Sequence, residues 1–295
     1  MKKTIAILLS LVMALSLLSA CAQTAAPAAT EAPTAEATAA PTEEVVAQPM
    51  TSGEGGGFPV SPLYFYTNMY CLHEGVENVW YTPFAYYFFT GATGKADITA
   101  CTASEPATID PGLISSVDGS TYTQHQFESL MKYATTGEQY KDNPSVLNTQ
   151  IVNGMAESYT SAANDDGTMT YTFTLRDANW SDGQPVTAND FVYAWRRLVD
   201  PTTASDYGYL LDGIVVNATE VNGGEMTPDQ LAVTAVDDKT FQVTLVAECP
   251  YFLDLCAFAS LMPLREDVVS ASATWTDPAT IVVNGPYKVT EWVHD

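Results

Sequence analysis

The stretch from Tyr171 to Val199 constrains the fold of this 295-residue chain more than any other segment. Residues 171–175 alternate apolar side chains with threonine, which predicts a strand with one buried face. Thr187 precedes Asp190 by three residues, a spacing close to that of the capping box at a helix start. The predicted helix carries one apolar face, at Phe191, Val192, Trp195, Leu198 and Val199. A strand followed by an amphipathic helix favours a mixed α/β protein.

Weaker patterns predict the remaining elements. Strands are predicted at 97–102, at 231–236 and 240–246 as a hairpin, and within 281–293 as two short strands around a turn at 284–286. Helices are predicted at 122–133 and 250–261. Turns are predicted at 109–112, 164–167 and 182–183, where Asp, Asn, Pro and Gly cluster.

The N-terminus predicts export and lipidation rather than folded structure. Two lysines precede an apolar run at 5–18, which is the order found in a signal peptide. Small residues then lead to Cys21, as in a bacterial lipobox, so we expect removal of residues 1–20 and diacylation of Cys21. Residues 21–57 are rich in Ala, Thr, Pro, Glu and Gly, which predicts an extended tether.

Residues 58–95 are crowded with aromatic side chains but keep neither a helical nor a strand period. Three interpretations of this segment remain open: an aromatic binding patch, an insertion of unknown role, or an error in the reading frame of the gene. The remaining cysteines are Cys71, Cys101, Cys249 and Cys256. Their spacing does not say which of them pair, although Cys249 and Cys256 are the closest in sequence.

The charge balance and the missing motifs argue against several classes of protein. With 11 Lys and Arg against 35 Asp and Glu, the net charge of −24 argues against nucleic-acid binding, which needs a basic face. The sequence contains no nucleophile elbow and no complete zinc-protease or phosphate-loop motif. The Asn164–Gly167 turn lacks required ligands of a calcium loop. We therefore expect no enzyme activity, no cofactor and no metal.

A long series of blocks resembles one family. The segment 171–197 reads YTFTLRDANWSDGQPVTANDFVYAWRR, and it is similar to the oligopeptide-binding proteins of ABC importers, the extracellular solute-binding proteins of the dipeptide, oligopeptide and nickel type. Further blocks keep the order of that family, at 104–111, 200–207, 235–240, 250–252 and 284–287. The resemblance covers about residues 96–293, and an ordered series of blocks is more specific than any single motif.

The resemblance implies an α/β fold like that of periplasmic binding proteins, in which two lobes close over a ligand. Residues 96–127 and 265–295 would form part of the hinge-side lobe, and residues 128–264 the extra domain of the oligopeptide-binding type. Family members usually continue for a further few hundred residues. The expectation is therefore a truncated clamp, with only the first lobe and its extra domain present.

The resemblance also implies where a ligand lies. The segment after the Asp-Pro turn runs along the peptide backbone in the family, and it corresponds here to Ser115, Ser116 and Val117. Ser115 stands where some relatives carry an acidic residue for the peptide amino terminus, with Asp118 close by. Tyr207 matches a tyrosine that faces the ligand, and packing in a half-buried position is its alternative role. Four residues of the strongest block are interpreted as structural: Trp180, Asp182, Phe191 and Trp195.

These expectations combine into one function with two alternatives. The first is a lipid-anchored receptor on the extracytoplasmic face of the bacterial cell membrane, monomeric, which delivers short peptides to the permease and ATPase subunits of an ABC importer. The second is the same fold binding another solute, such as a nickel complex, haem, a sugar or a signalling peptide. The third is a truncated surface lipoprotein with an adhesive or structural role.

Overall fold

The structure is a computed structural model that describes residues 74–82, 86–94, 97–102, 104–140 and 143–293. These residues all belong to one compact unit, Met69–Asp295. The predicted signal peptide, Cys21, the tether and the first part of the aromatic-rich segment lie outside the described residues. No helix within the described ranges is long and apolar enough to cross a membrane.

The described strands form three antiparallel sheets. They are β1 (Trp80–Tyr81), β2 (Tyr87–Phe88), β3 (Met131–Tyr140), β4 (Asn143–Asn153), β5 (Ala156–Ala163), β6 (Met169–Leu175), β7 (Val233–Asp237) and β8 (Thr240–Leu245). Strand β1 pairs with β2, β3 pairs with β4, and the largest sheet has the order β5-β6-β8-β7. The predicted strand at 171–175 and the predicted hairpin at 231–246 are thereby confirmed.

The helices of the described residues are short apart from two. They are α1 (Val117–Gln126), α2 (Ala188–Val199), α3 (Ala218–Asn222), α4 (Phe252–Leu255) and α5 (Glu266–Val269). Single 3₁₀ turns occur at Pro201–Thr203, Gly208–Leu211, Pro228–Gln230 and Ala259–Leu261.

Helix α2 begins and packs as its sequence predicts. The carboxylate of Asp190 accepts hydrogen bonds from the Thr187 backbone N–H at 2.8 Å and from the Trp180 indole N–H at 3.1 Å. The apolar face of α2 is buried against the largest sheet, where the Trp195 ring lies 5.2 Å from the ring of Phe241. Burial raises the pKa of the Asp190 carboxyl, and the hydrogen bonds from Thr187 and Trp180 oppose that rise.

The predicted structural roles of four residues are confirmed. Trp180, Phe191 and Trp195 are almost completely buried in the core. Asp182 lies at the surface, where its carboxylate caps the turn through Gln184 N–H at 3.1 Å and pairs with Arg265 at 3.2 Å. The strongest sequence block therefore builds the fold rather than a ligand site.

A buried ion pair fixes the segment before α1 to helix α2. The Arg197 guanidinium donates to both carboxylate oxygens of Asp110, at 2.9 and 2.7 Å. Asp110 also accepts from the Gly112 backbone N–H at 2.9 Å and from the Trp275 indole N–H at 3.3 Å. Only 3% of Asp110 is exposed, so this carboxylate depends on those four donors for its stability in the interior.

Residues 80–89, called the aromatic hairpin below, form a small folded unit, of which 83–85 lie outside the described residues. The Trp80 ring stacks on Phe88 with centroids 4.2 Å apart and an interplanar angle of 7°. Thr82 and Tyr86 close the hairpin, through Thr82 N–H to Tyr86 O at 2.9 Å. Trp80, Tyr86 and Phe88 are all buried in the common core.

The predicted helix at 122–133 is wrong in its bounds. The hydroxyl of Ser116 accepts from the Gly119 N–H at 3.0 Å, and α1 begins at Val117, several residues earlier than predicted. The backbone becomes extended at Phe127, which ends the helix and leads into β3. The buried side chains of α1 are mostly polar, so its buried face left no apolar period in the sequence.

Three other predicted elements differ from the structure. The predicted helix at 250–261 is broken into α4 and a 3₁₀ turn, because Phe258 has an extended backbone with ψ of 143°. Segments 97–102 and 281–293 carry no strand. Segment 281–293 instead bonds to the end of α1, with Gly285 N–H donating to Gln126 O at 2.8 Å and Tyr287 N–H to His125 O at 3.1 Å.

The described cysteines carry free thiols. Cys249 and Cys256 are buried and Cys101 is exposed, and none of the three is bridged. Burial raises the pKa of the Cys256 thiol well above its usual range, which makes this thiol a poor nucleophile. Because the thiols of Cys249 and Cys256 are both free, the structure has no disulfide between them.

Candidate ligand-binding site

The three residues predicted to follow the peptide backbone form the start of α1. Ser115, Ser116 and Val117 are exposed, with 46% of Val117 accessible. Ser116 has an extended backbone, with φ of −118° and ψ of 155°, and its hydroxyl caps the helix. The Gly119 N–H of the first helical turn is bonded to the Ser116 hydroxyl, whereas the N–H groups of Val117 and Asp118 have no acceptor within the helix and are the backbone donors that this turn offers.

Asp118 does not stand free beside this turn. Its carboxylate accepts from the Ser104 backbone N–H at 3.1 Å and from the Ser104 hydroxyl at 2.6 Å. These two bonds hold the segment at 104 against the first turn of α1. A charge contact between Asp118 and the amino terminus of a ligand would compete with both of them.

Tyr207 is half-buried beside another aromatic group. Its ring meets Phe258 edge-on with centroids 5.3 Å apart, and it lies 6.2 Å from the ring of Tyr209. Part of the Tyr207 ring therefore packs against Phe258, which is the alternative role considered for it. The remaining exposed part leaves room for the predicted ligand role, which stays a prediction.

The structure adds a residue that the sequence did not single out. Tyr86 of the aromatic hairpin forms a hydrogen bond with Ser120 of α1. Burial is the main cause that raises the pKa of Tyr86, and the bond with Ser120 opposes it. Tyr86 therefore joins the aromatic hairpin to α1. The segment 58–95 keeps neither a helical nor a strand period, so periodicity did not distinguish Tyr86 from the other aromatic residues there.

The Asn284–Gly285 turn supports α1 from its other end. The Asn284 side-chain amide accepts from the Glu128 N–H at 3.0 Å and donates to the Glu128 carbonyl at 2.9 Å, as a neighbouring strand would. A Cβ on Gly285 would lie 2.6 Å from the Gln126 carbonyl carbon, so only glycine permits this approach. The turn therefore fixes the end of α1 in place.

Replacing Gly285 by alanine is expected to destabilise the protein by about 1–3 kcal/mol, because an added methyl group must push the turn away from α1. Urea unfolding of the full-length protein measures this change. Gly223→Ala is the matched control, since Gly223 ends α3 in a helical conformation that alanine adopts easily. Equal unfolding midpoints for the two variants would contradict the predicted close approach.

Within the described ranges, no group of three or more His, Cys, Asp or Glu side chains is placed to hold a metal ion. The functional groups near the start of α1 are hydroxyl groups, the Asp118 carboxylate, aromatic rings and backbone amides. These groups suit a ligand held by hydrogen bonds and stacking.

Comparisons with known proteins agree with this picture. Residues 150–295 match the family model described as bacterial extracellular solute-binding proteins, family 5, middle part. The chain is 39% identical over 202 residues to the periplasmic oligopeptide-binding protein OppA of Salmonella typhimurium, covering 68% of this chain and 34% of that protein. It is 34% identical over 193 residues to the probable deoxycholate-binding periplasmic protein YgiS of Escherichia coli, covering 64% of this chain and 33% of that protein.

A solved structure supports the same relationship. The structure of OppA from Burkholderia pseudomallei matches with a TM-score of 0.57 and 36% identity, over 65% of this chain and 35% of that chain. The present chain thus spans about a third of the length of the relatives it matches.

Proposed function

Because this chain belongs to the bacterial extracellular solute-binding proteins of family 5, we propose that the whole protein captures short peptides and delivers them to an ABC importer. Its mixed α/β fold is that of periplasmic binding proteins, as the sequence predicted. Several relatives are named as oligopeptide-binding proteins. The peptide ligand, the transporter and the closure of the two lobes over the ligand are all parts of this proposal.

The observation that carries the proposal is the exposed first turn of α1. An importer of many peptides must bind what all peptides share, which is the backbone. Ser115–Val117 offers an exposed backbone that is extended at Ser116, and such a segment can pair with an extended peptide as a neighbouring strand does. Tyr207 would add one aromatic contact at the side of the same peptide.

Membrane attachment extends the proposal. Diacylation of Cys21 would anchor the protein on the outer face of the cell membrane, and residues 21–57 would be the extended tether between the lipid and the folded part. Residues 96–127 with 265–295, and residues 128–264, would be the hinge-side lobe and the extra domain of a monomer. The permease and ATPase subunits would be its partners.

The expected result with the full-length protein is binding of short peptides that depends little on their side chains. Calorimetry with tripeptides that differ only in the central residue, such as alanine, phenylalanine, lysine and glutamate, is expected to give dissociation constants within about tenfold of one another. Deoxycholate serves as the competing candidate, since one relative is named for it. Binding of deoxycholate without binding of any peptide would overturn the proposal.

A variant of Val117 tests the backbone contact itself. Val117 is the first residue of α1 and follows an extended residue, so proline fits there and removes only the N–H. Val117→Pro is expected to weaken peptide binding about three- to tenfold, because one backbone hydrogen bond is lost. Val117→Ala keeps the N–H and is expected to bind as the wild type does. Equal affinity of the two variants would remove this turn from the ligand site.

A further inference from the structure

We propose that His125 fastens the aromatic hairpin to α1 only while its imidazole is neutral, so that acidification releases the hairpin. This proposal goes beyond peptide capture and does not depend on it.

The two ring nitrogens of His125 have opposite roles. Nδ1 lies 2.7 Å from the backbone carbonyl oxygen of Thr121, which can only accept a hydrogen bond, so Nδ1 carries a proton. Nε2 lies 2.9 Å from the backbone N–H of Phe89, which can only donate, so Nε2 is the acceptor. Both contacts are satisfied by a single neutral tautomer. The cation satisfies only one of them.

Packing around the ring disfavours the cation further. Only 7% of His125 is exposed, and its ring lies 5.2 to 5.5 Å from the rings of Phe88, Phe89 and Tyr287. Burial lowers the pKa of His125, and the bond to the Thr121 carbonyl opposes this only in part. Protonation at Nε2 would place two buried donors face to face, without an acceptor between them.

The charged groups near His125 offer the cation no partner. A cavity of about 470 Å³ beside the ring is lined by one charged residue, the exposed Lys288, among the described residues. The titratable neighbours on α1 and on segment 281–293 are Tyr122 and Tyr287. The described part of the hairpin contributes Tyr86 and Tyr87. No Asp or Glu side chain of the described residues lines the cavity beside His125, so no carboxylate there can pair with the cation.

The fastening involves more than one contact between the hairpin and the rest of the unit. The Phe89 carbonyl accepts from the Tyr287 hydroxyl at 3.2 Å, while its N–H donates to His125. Tyr86, three residues earlier, is hydrogen-bonded to Ser120 of α1. Release at Phe89 would therefore uncover the part of α1 that carries His125.

The direction of the pH effect follows from the lowered pKa of His125. The hairpin stays docked above the ordinary pKa of histidine, about 6.5, because the imidazole is neutral in both docked and released states. As the pH falls below that value, the released state binds a proton that the docked state resists. Docking therefore weakens progressively until the pH passes the lowered pKa of the docked state.

Hydrogen exchange measures the release directly. In the full-length protein, the exchange of amides at 86–92, corrected for its intrinsic pH dependence, is expected to rise about tenfold or more between pH 7.5 and pH 5. In His125→Gln, whose amide oxygen can accept from Phe89 without titrating, the corrected rate is expected to stay flat. His294→Gln removes a different histidine and is expected to behave as the wild type does.

Two results would overturn this assignment. One is a flat corrected rate in the wild type, and the other is a His125→Gln variant that still loses protection at low pH. If the variant does not fold, the NMR titration of His125 in the wild type decides the matter. A midpoint below 6.5 that coincides with hairpin release supports the proposal, and a midpoint at or above 6.5 contradicts it.

Discussion

Replacing Asp110 by alanine is expected to destabilise the full-length protein by about 3–5 kcal/mol, the range for removing one partner of a buried ion pair. The side chain of Asp110 is 4% exposed, and that of its partner Arg197 is 16% exposed. Without the carboxylate, the partly buried Arg197 guanidinium loses its partner, and the Gly112 and Trp275 N–H groups lose their acceptor. Urea unfolding, followed by circular dichroism, measures the loss.

An exposed ion pair provides the control for this prediction. Asp177 lies 3.1 Å from Lys239, and its side chain is fully exposed. Such surface pairs contribute little, so Asp177→Ala is expected to leave the unfolding midpoint unchanged. Similar small shifts in both variants would mean that water reaches Asp110 in solution, and the buried cluster would then be wrong.

Replacing Trp195 by alanine is expected to cost about 3–5 kcal/mol, because it empties the largest fully buried site in the core. The ring touches two sides of that core, with centroids 5.2 Å from Phe241 and 6.3 Å from Phe252. The indole N–H also donates to the Leu261 carbonyl at 3.2 Å. The variant therefore loses packing and one of the two hydrogen bonds to the Leu261 carbonyl, which keeps the Ser129 hydroxyl as a donor at 3.1 Å.

Tyr209→Ala is the matched control for the core prediction. Tyr209 is 58% exposed, so most of its ring is already in water. Its replacement is expected to change the thermal midpoint far less than Trp195→Ala does. If Trp195→Ala unfolds at the same temperature as the control, α2 does not pack on the largest sheet as described.

The sequence predicted those elements whose local signals agree with their packing. Strand β6 and helix α2 each combine a clear period with a turn or a capping residue, and both were located correctly. Helix α1 was misplaced because its buried face is polar, with Thr121, Gln124 and His125 facing the interior. Apolar periodicity carries no information about such a helix.

Contacts between distant segments could not be predicted from the sequence. Asp110 and Arg197 are 87 residues apart, and no local pattern says that they pair. The same holds for Phe89 and His125, which are 36 residues apart. For the ligand site, the resemblance implied Ser115–Val117 and Tyr207, and their ligand role stays a prediction. Tyr86 lies in a segment without a helical or strand period, and its hydrogen bond with Ser120 is seen only in the folded structure.

Helix α1 contacts the Asn284–Gly285 turn and the aromatic hairpin, and it carries the proposed ligand site. Its first turn presents the exposed backbone of the proposed ligand site, while its last turn is held by the Asn284–Gly285 turn. The aromatic hairpin lies on it through His125.

Photo-cross-linking of a bound tripeptide tests the central claim, that a peptide backbone lies along the first turn of α1. A tripeptide with a diazirine side chain is bound to the full-length protein and irradiated, and the modified residues are located by mass spectrometry. The account predicts cross-links within 115–117 and at Tyr207, which disappear when an excess of unlabelled tripeptide is added. Cross-links confined to other segments, or unaffected by the unlabelled peptide, would contradict it.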